Sequence, residues 1–74
     1  MGAIKAQTLK MQDVIEITTL SRSTILRLVK NGSFPPYVTI GGTSLWSKSD
    51  VDNWIQKSII EPIEERKKKL AYHA

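Results

Sequence analysis

The stretch of sequence that decides the fold is TTLSRSTILRLVKNGSFPPYVTIGG, residues 18–42. It begins with a run typical of an amphipathic helix, and this run carries basic residues but no acidic residue. Ser21 is a favourable N-cap for that helix, and Gly32 can adopt the left-handed conformation that ends a helix. The sequence therefore predicts a helix over roughly residues 22–31.

A second apolar pattern lies just before this helix. Met11, Val14 and Ile15 follow the i, i+3, i+4 spacing of a helix face, which predicts a short helix over residues 11–17. Only a few residues separate the two predicted helices. A connection this short brings helices together at a steep angle, as in a helix-turn-helix.

The chain downstream of residue 32 changes character. The two prolines at 35–36 exclude a helix, and the strand-prone segments YVTI (37–40) and TSLW (43–46) flank a pair of glycines. Two glycines suit a tight turn with positive φ, so these residues predict a β-hairpin whose tip can approach a ligand closely. The alternative is a hairpin that simply closes the core, and both roles are compatible. The side chains that would serve to close it are Val38, Ile40, Leu45 and Trp46.

A third helix is predicted over residues 48–60, with Ser47 as its N-cap and Asp50 in its first turn. We expect it to pack under the hairpin through Val51, Trp54 and Ile55, with Trp54 in the core. Glu61 and Pro62 are expected to end this helix, and Pro62 can begin another one in the tail.

Charge and composition narrow the class of protein. The formal net charge of +4 belongs to residues 1–49, since the acidic and basic residues of 50–74 cancel. A localised basic excess suits a polyanion such as nucleic acid, although a solvated surface would also carry it. There is no cysteine, and no apolar run approaches the roughly 20 residues of a membrane span. We therefore expect a small cytoplasmic domain without disulfide bonds, thiolate metal sites or a membrane partner.

The second helix separates its side chains by chemistry. At about 100° per residue, Ile25, Leu28 and Val29 share one face, while Ser23 and Arg27 lie on the opposite one. That outward face contains no carboxylate, which would repel a DNA backbone. A helix fits the major groove, so the face favours DNA binding over the alternative of a basic solvated surface. The candidate DNA-contacting residues are Arg22, Ser23, Thr24, Leu26, Arg27 and Lys30 on this helix, and Thr43 and Ser44 on the hairpin.

Nothing in the sequence indicates an enzyme, a cofactor or a metal site. His73 is the only histidine and lies in the C-terminal tail, where a solvated role is expected. Asp50 and Asp52 are two residues apart and do not share a helix face. The basic run 66–69 either adds phosphate contacts or is simply solvated.

The order of these parts resembles the AlpA-type regulators and related phage excisionases, small winged helix-turn-helix proteins of the MerR-like group. The resemblance covers about residues 9–58: LKMQDVIEITTLSRSTILRLVKNGSFPPYVTIGG (9–42), the aromatic Trp46, and SDVDNWI (49–55). It implies a DNA-binding protein of a prophage or integrative element. Such proteins regulate transcription, often of an integrase gene, or bend attachment-site DNA during excision.

The chain departs from the family pattern at four places. Thr43 stands where an arginine usually follows the glycine turn, and Leu45 where a second basic residue is common, so the wing is expected to grip DNA weakly. Leu26 replaces a frequent aromatic and could touch a thymine methyl group. Thr19 replaces a glycine that often closes the first helix, so the turn is expected to differ there.

The sequence thus predicts a mainly α, monomeric winged helix-turn-helix domain with a small β-hairpin. Residues 1–8 are interpreted as a flexible lead-in, 9–60 as the DNA-binding domain and 61–74 as a tail able to form a helix. The expected function is sequence-specific binding of double-stranded DNA as a transcriptional regulator associated with the bacterial nucleoid. An excisionase and a protein-interaction adaptor are the alternatives. Because one small module contacts little DNA, adjacent copies of the chain are a second expected partner.

Overall fold

The computed structural model describes residues 7–72, which form a mainly helical chain with a small three-stranded antiparallel sheet. In chain order the elements are β1 (Thr8–Lys10), α1 (Met11–Thr18), α2 (Arg22–Lys30), β2 (Val38–Ile40), β3 (Thr43–Ser47), α3 (Lys48–Ile55), a π turn (Gln56–Ile60) and α4 (Glu61–Tyr72). Within these residues, none of the helices combines the length and apolar character needed to cross a bilayer.

Helix α1 ends at Thr19, which adopts the left-handed conformation with φ 60°. The Thr19 backbone N–H donates to the Ile15 carbonyl at 2.7 Å, as a glycine in this position would. The buried Thr18 hydroxyl donates to the Val14 carbonyl at 2.7 Å and accepts from the Leu20 N–H at 3.2 Å. The glycine-type turn is therefore retained, contrary to the expectation for Thr19, because these hydrogen bonds hold a β-branched residue in a conformation it disfavours.

Helix α2 has the two ends that its sequence predicts. Ser21 accepts a hydrogen bond from the Thr24 backbone N–H at 3.2 Å, which caps the N-terminus. At the other end Gly32 has φ 78°. Its N–H donates to the Val29 carbonyl at 3.0 Å, and the Ser33 N–H donates to the Leu28 carbonyl at 2.8 Å. This pair of bonds is a Schellman motif and confirms the predicted C-terminal cap.

The predicted hairpin is present, with φ 58° at Gly41 and 81° at Gly42. Two successive positive φ values are those of the primed turns that join twisted strands. The sheet order is β1-β3-β2, so a strand that the sequence analysis did not predict pairs with the far side of β3. Thr8, placed in the flexible lead-in, pairs with Ser47. Residues 1–6 of that segment lie outside the described residues.

Strand pairing decides which hairpin residues enter the core. Leu9 pairs with Trp46, and both are buried on one face of the sheet. Val38 and Ile40 lie on the other face and are 60% and 64% exposed. Leu45, which pairs with Val38 on that face, is half-buried. The prediction that Val38 and Ile40 close the core was wrong, because side chains alternate along a strand and only the Trp46 side is covered by helices.

The core is centred on four fully buried side chains from different elements: Val14, Ile25, Trp46 and Val51. The Trp46 indole N–H donates to the Pro35 carbonyl at 2.9 Å, so its one polar atom is satisfied. Phe34 is also buried and meets the Trp46 ring edge-on, with ring centres 6.1 Å apart. Trp46 is thus the central aromatic residue of the fold.

Helix α3 packs against this core as predicted, but Trp54 lies at its margin. Ser47 caps the helix by accepting from the Asp50 N–H at 3.4 Å. Val51 is buried, whereas Trp54 is half-buried, with its ring 4.6 Å from that of Phe34. The Trp54 indole N–H donates to the Ser33 carbonyl at 2.6 Å, so it fastens the loop after α2 to α3.

The helix does not end at Glu61 and Pro62 as predicted, but continues through the π turn into α4. The Glu61 N–H donates to the Gln56 carbonyl, five residues back. A proline has no N–H to donate, and its ring clashes with the carbonyl four residues earlier in a regular helix. The wider π turn, which ends at Ile60, changes that spacing and lets the helix pass the proline.

Candidate nucleic-acid interface

The orientation of α2 is set by Ile25, which is fully buried against the core. Leu28 and Val29 flank it and are half-buried. With this side of the helix held inward, the opposite side carries Ser23 and Arg27 into solvent. The structure therefore brings the predicted helix residues together on one accessible surface, which we call the basic face: Arg22, Ser23, Leu26, Arg27 and Lys30.

The hydroxyl groups at the start of α2 form a connected cluster around the cap. Ser21 Oγ donates to Thr24 Oγ1 at 2.9 Å and lies 3.3 Å from Ser23 Oγ. Thr24 is half-buried and its hydroxyl is engaged by the cap, while Ser23 is exposed. Of the two predicted hydroxyl contacts, Ser23 is thus the more accessible one.

Within the part of the chain that the structure describes, no ion pair neutralises the cations of the basic face. Among residues 7–72, the ion pair that forms joins Lys48 to Asp52 at 3.0 Å on α3, and Arg22, Arg27 and Lys30 form none. Arg27 and Lys30 also lie in the last turn of α2, where positive charge stabilises the helix dipole. Within the described residues these cations are exposed and unpaired, which suits an anionic partner.

The hairpin offers a different chemistry from α2. Its tip consists of Gly41 and Gly42, and nothing lies within 4 Å of a Cβ built at either residue. Thr43 is exposed on the outer face of the sheet, whereas the half-buried Ser44 lies on the face that carries Trp46. The two predicted hairpin contacts therefore point to opposite sides, and the tip carries no charge.

Strand β1 adds an exposed basic residue that the sequence pattern did not single out. Lys10 is exposed and pairs with Leu45, so the two side chains share the outer face of the sheet. Leu45 is the position at which the family pattern often has a base. In the sequence, only the positive charge of Lys10 pointed to a role in this surface. The residues around 8–10 do not indicate which strand they pair with.

The described part of the chain does not assemble a cluster of metal-ligating side chains. Across residues 7–72, no group of three or more His, Cys, Asp or Glu side chains could hold a metal ion. His73 lies outside the described residues.

Comparison with known proteins agrees with the resemblance seen in the sequence. The family model for the prophage CP4-57 regulatory protein (AlpA) matches residues 7–59. The chain is also 42% identical over 48 residues to the uncharacterized protein ORF88 of Enterobacteria phage P4, covering 64% of this chain and 54% of that protein. The chain thus spans about half the length of this relative. No solved structure matches. The family model covers β1 to the π turn, and the chain belongs to the AlpA family of prophage regulatory proteins.

Proposed function

We propose that this protein binds double-stranded DNA sequence-specifically and regulates transcription in a prophage or integrative element. In this proposal α1 and α2 form a helix-turn-helix, α2 is the recognition helix and the β2–β3 hairpin is a wing. The observation that carries the proposal is the basic face of α2, which is exposed, cationic and free of carboxylates. Surface helices more often mix both signs of charge to gain i,i+4 pairs.

The dimensions of α2 suit a DNA groove. It is a nine-residue α-helix, and an α-helix with its side chains is about 10–12 Å across. The major groove of B-DNA is about 12 Å wide and admits one helix. The left-handed turn at Thr19 and the cap at Ser21 fix how α2 leaves α1, so the recognition helix would be presented rigidly.

The residue types of the basic face favour a division of roles. A guanidinium such as that of Arg27 can hold guanine through two hydrogen bonds, whereas the Lys30 ammonium acts as a point charge toward phosphate. Ser23 and Arg22 at the start of α2 are suited to backbone contacts, and Leu26 to a thymine methyl group. The wing would contribute Thr43 and, across the sheet, Lys10.

The experiment compares two variants that lose equal charge. Arg22, Arg27 and Lys30 are replaced together by alanine in one variant, and the exposed Arg66, Lys68 and Lys69 of α4 in the other. A duplex is first selected from a random library with the wild-type chain, and both variants are then measured on it and on a scrambled duplex. We expect the α2 variant to lose at least roughly 100-fold in affinity for the selected duplex, and the α4 variant only a few-fold.

Two results would contradict the proposal. If both variants lose affinity equally, binding is generic attraction of a cation to DNA. If the wild-type chain selects no duplex, or its binding does not weaken as salt rises, the α2 surface serves another partner, since DNA binding releases counterions.

A further inference from the structure

Helix α4 is poorly accounted for by the packing of a single chain. All residues from 61 to 70 are exposed, and the helix extends a molecule that measures 52 Å along its longest axis but 18 Å along its shortest. Helix α4 continues α3 through the π turn, but without packing of its own its 12 residues lie at the lower end of the roughly 12–15 that even a favourable isolated helix needs in water. An additional contact surface would therefore stabilise α4.

Apolar residues follow one line from Ile60, the last residue of the π turn, along α4. Ile60, Ile63 and Leu70 are 39%, 47% and 67% exposed. Together with Lys67 they are spaced by three, four and three residues, which is the spacing of the contact positions of a two-helix seam. We call these four positions the α4 seam.

The charges of α4 are divided between its two halves. Glu61, Glu64 and Glu65 occupy the first half, and the second half begins with the four consecutive bases of 66–69. The helix is thus complementary to a copy of itself that runs in the opposite direction.

We propose that two copies of the chain associate through the α4 seam as an antiparallel helix pair. In the register that places Ile60 against the partner's Leu70, Ile63 meets the aliphatic stem of the partner's Lys67. The ammonium of that lysine then lies beside Glu64, and the same pair forms twice because the arrangement is two-fold symmetric.

A parallel pair would be unfavourable on the same seam. Parallel seams place identical positions opposite each other, so Lys67 would face the partner's Lys67 in the contact, and the acidic half would face the acidic half. Like charges held together at a partly desolvated contact repel each other. The position of Lys67 therefore selects the antiparallel direction.

The association is expected to be weak in free solution. One pair of three-turn helices buries far less than the roughly 1,200 Å² of a stable interface. Copies held next to each other on one DNA molecule would gain from a raised effective concentration. The pairing itself is independent of the proposed DNA binding, and it is tested without DNA.

Disulfide trapping tests both the contact and its direction, because the chain contains no cysteine of its own. Ile60→Cys and Leu70→Cys chains are prepared separately, then oxidised alone and as an equimolar mixture at high protein concentration. In the antiparallel register position 60 of one chain meets position 70 of the other, whereas identical positions are about 15 Å apart along the axis. We expect the mixture to cross-link at least roughly five-fold faster than either variant alone. A Gln12→Cys variant, with its cysteine exposed on α1, gives the rate of random collision.

Two outcomes would overturn this proposal. Faster cross-linking of each variant with itself than in the mixture would show a parallel pair, and rates equal to that of the Gln12→Cys control would show that no seam forms. As a second measurement, Leu70→Ser should abolish the concentration dependence of α4 amide NMR shifts in the wild-type chain, whereas Lys68→Ser, on another side of the helix, should retain it. Retention of that dependence in Leu70→Ser would likewise exclude the seam.

Discussion

Thr19 and Gly32 end their helices in the same left-handed conformation. A threonine disfavours this conformation, whereas a glycine adopts it readily. Thr19 has φ 60° and carries a β-branched side chain, whereas Gly32 has φ 78° and no Cβ. The left-handed region costs an L-residue roughly 1–2 kcal/mol, and glycine avoids most of this cost. Thr19 therefore stores local strain at the turn that sets the angle between α1 and α2.

This contrast gives a paired prediction for stability. Thr19→Gly should raise the free energy of unfolding by about 0.5–1 kcal/mol, because the relief of strain exceeds the entropy that glycine adds to the unfolded chain. Gly32→Ala should lower it by about 1 kcal/mol, and this loss is purely a backbone effect since nothing lies within 4 Å of the added Cβ. Urea denaturation measures both. A loss of stability in Thr19→Gly would show that the turn is held by the threonine side chain.

Arg27 and Lys30 offer the second comparison between single residues. Arg27→Ala should cost about 1–3 kcal/mol on the selected duplex and relax the preference at one base pair, because a bidentate contact to guanine is lost. Lys30→Ala should weaken all sequences similarly and lower the salt slope by about one unit. Binding of both variants to selected and scrambled duplexes at several salt concentrations separates the two roles. Equal weakening of both duplexes by Arg27→Ala would identify it as a phosphate contact.

Among the elements, the hairpin has an uncharged tip and a basic neighbour in β1. Its exposed outer face carries Thr43 near the tip and Lys10 beside Leu45. If the hairpin is a wing, its electrostatic contribution to DNA binding comes from Lys10. In that case β1 would matter to the site as well as to the fold.

Two substitutions on this sheet should move DNA affinity in opposite directions. Thr43→Arg should tighten binding to unrelated duplex and steepen its salt dependence by about one phosphate contact, and Lys10→Ala should make that dependence shallower by a similar amount. Salt titrations with a random duplex measure both slopes, with Lys57→Ala, an exposed base on the π turn, as the control. Unchanged slopes in both variants would show that the hairpin stays away from DNA.

At the scale of the whole molecule, the two tryptophans have unequal roles in a single small core. Trp46 is completely buried, bonded to Pro35 and placed between the sheet and the helices. Trp54 packs against the same core but is half-buried and fastens a loop. Stability should therefore depend more on Trp46, although the sequence indicated a core role for both tryptophans.

Alanine substitutions test this ranking. Trp46→Ala should lower the free energy of unfolding by about 3–5 kcal/mol and leave most of the chain unfolded at room temperature. The reason is that a domain of this size has a small free energy of unfolding. Trp54→Ala should cost about 1–3 kcal/mol and leave a cooperative transition, because less buried apolar area is lost when it is removed. Thermal melts followed by circular dichroism rank the two variants. A lower melting temperature for Trp54→Ala than for Trp46→Ala would reverse the assignment.

The sequence by itself determined the features that depend on hydrogen bonds between near neighbours. The cap at Ser21, the Schellman motif at Gly32 and the positive φ values of Gly41 and Gly42 each involve only a few consecutive residues. The polar face of α2 follows equally from helical periodicity once Ile25 is taken as buried. These predictions succeeded because the interactions that stabilise each feature form within the segment itself.

Only the tertiary structure decided the features that depend on partners distant in the chain. Strand β1 exists because its residues pair with β3, more than thirty residues later, and that pairing places Lys10 beside Leu45. Trp46 rather than Val38 or Ile40 is buried because only one face of the sheet is covered by helices. The local pattern of a short apolar strand is the same whichever face is covered. Which face of the strand is buried is therefore decided by the helices that pack on it, and these are distant in the chain.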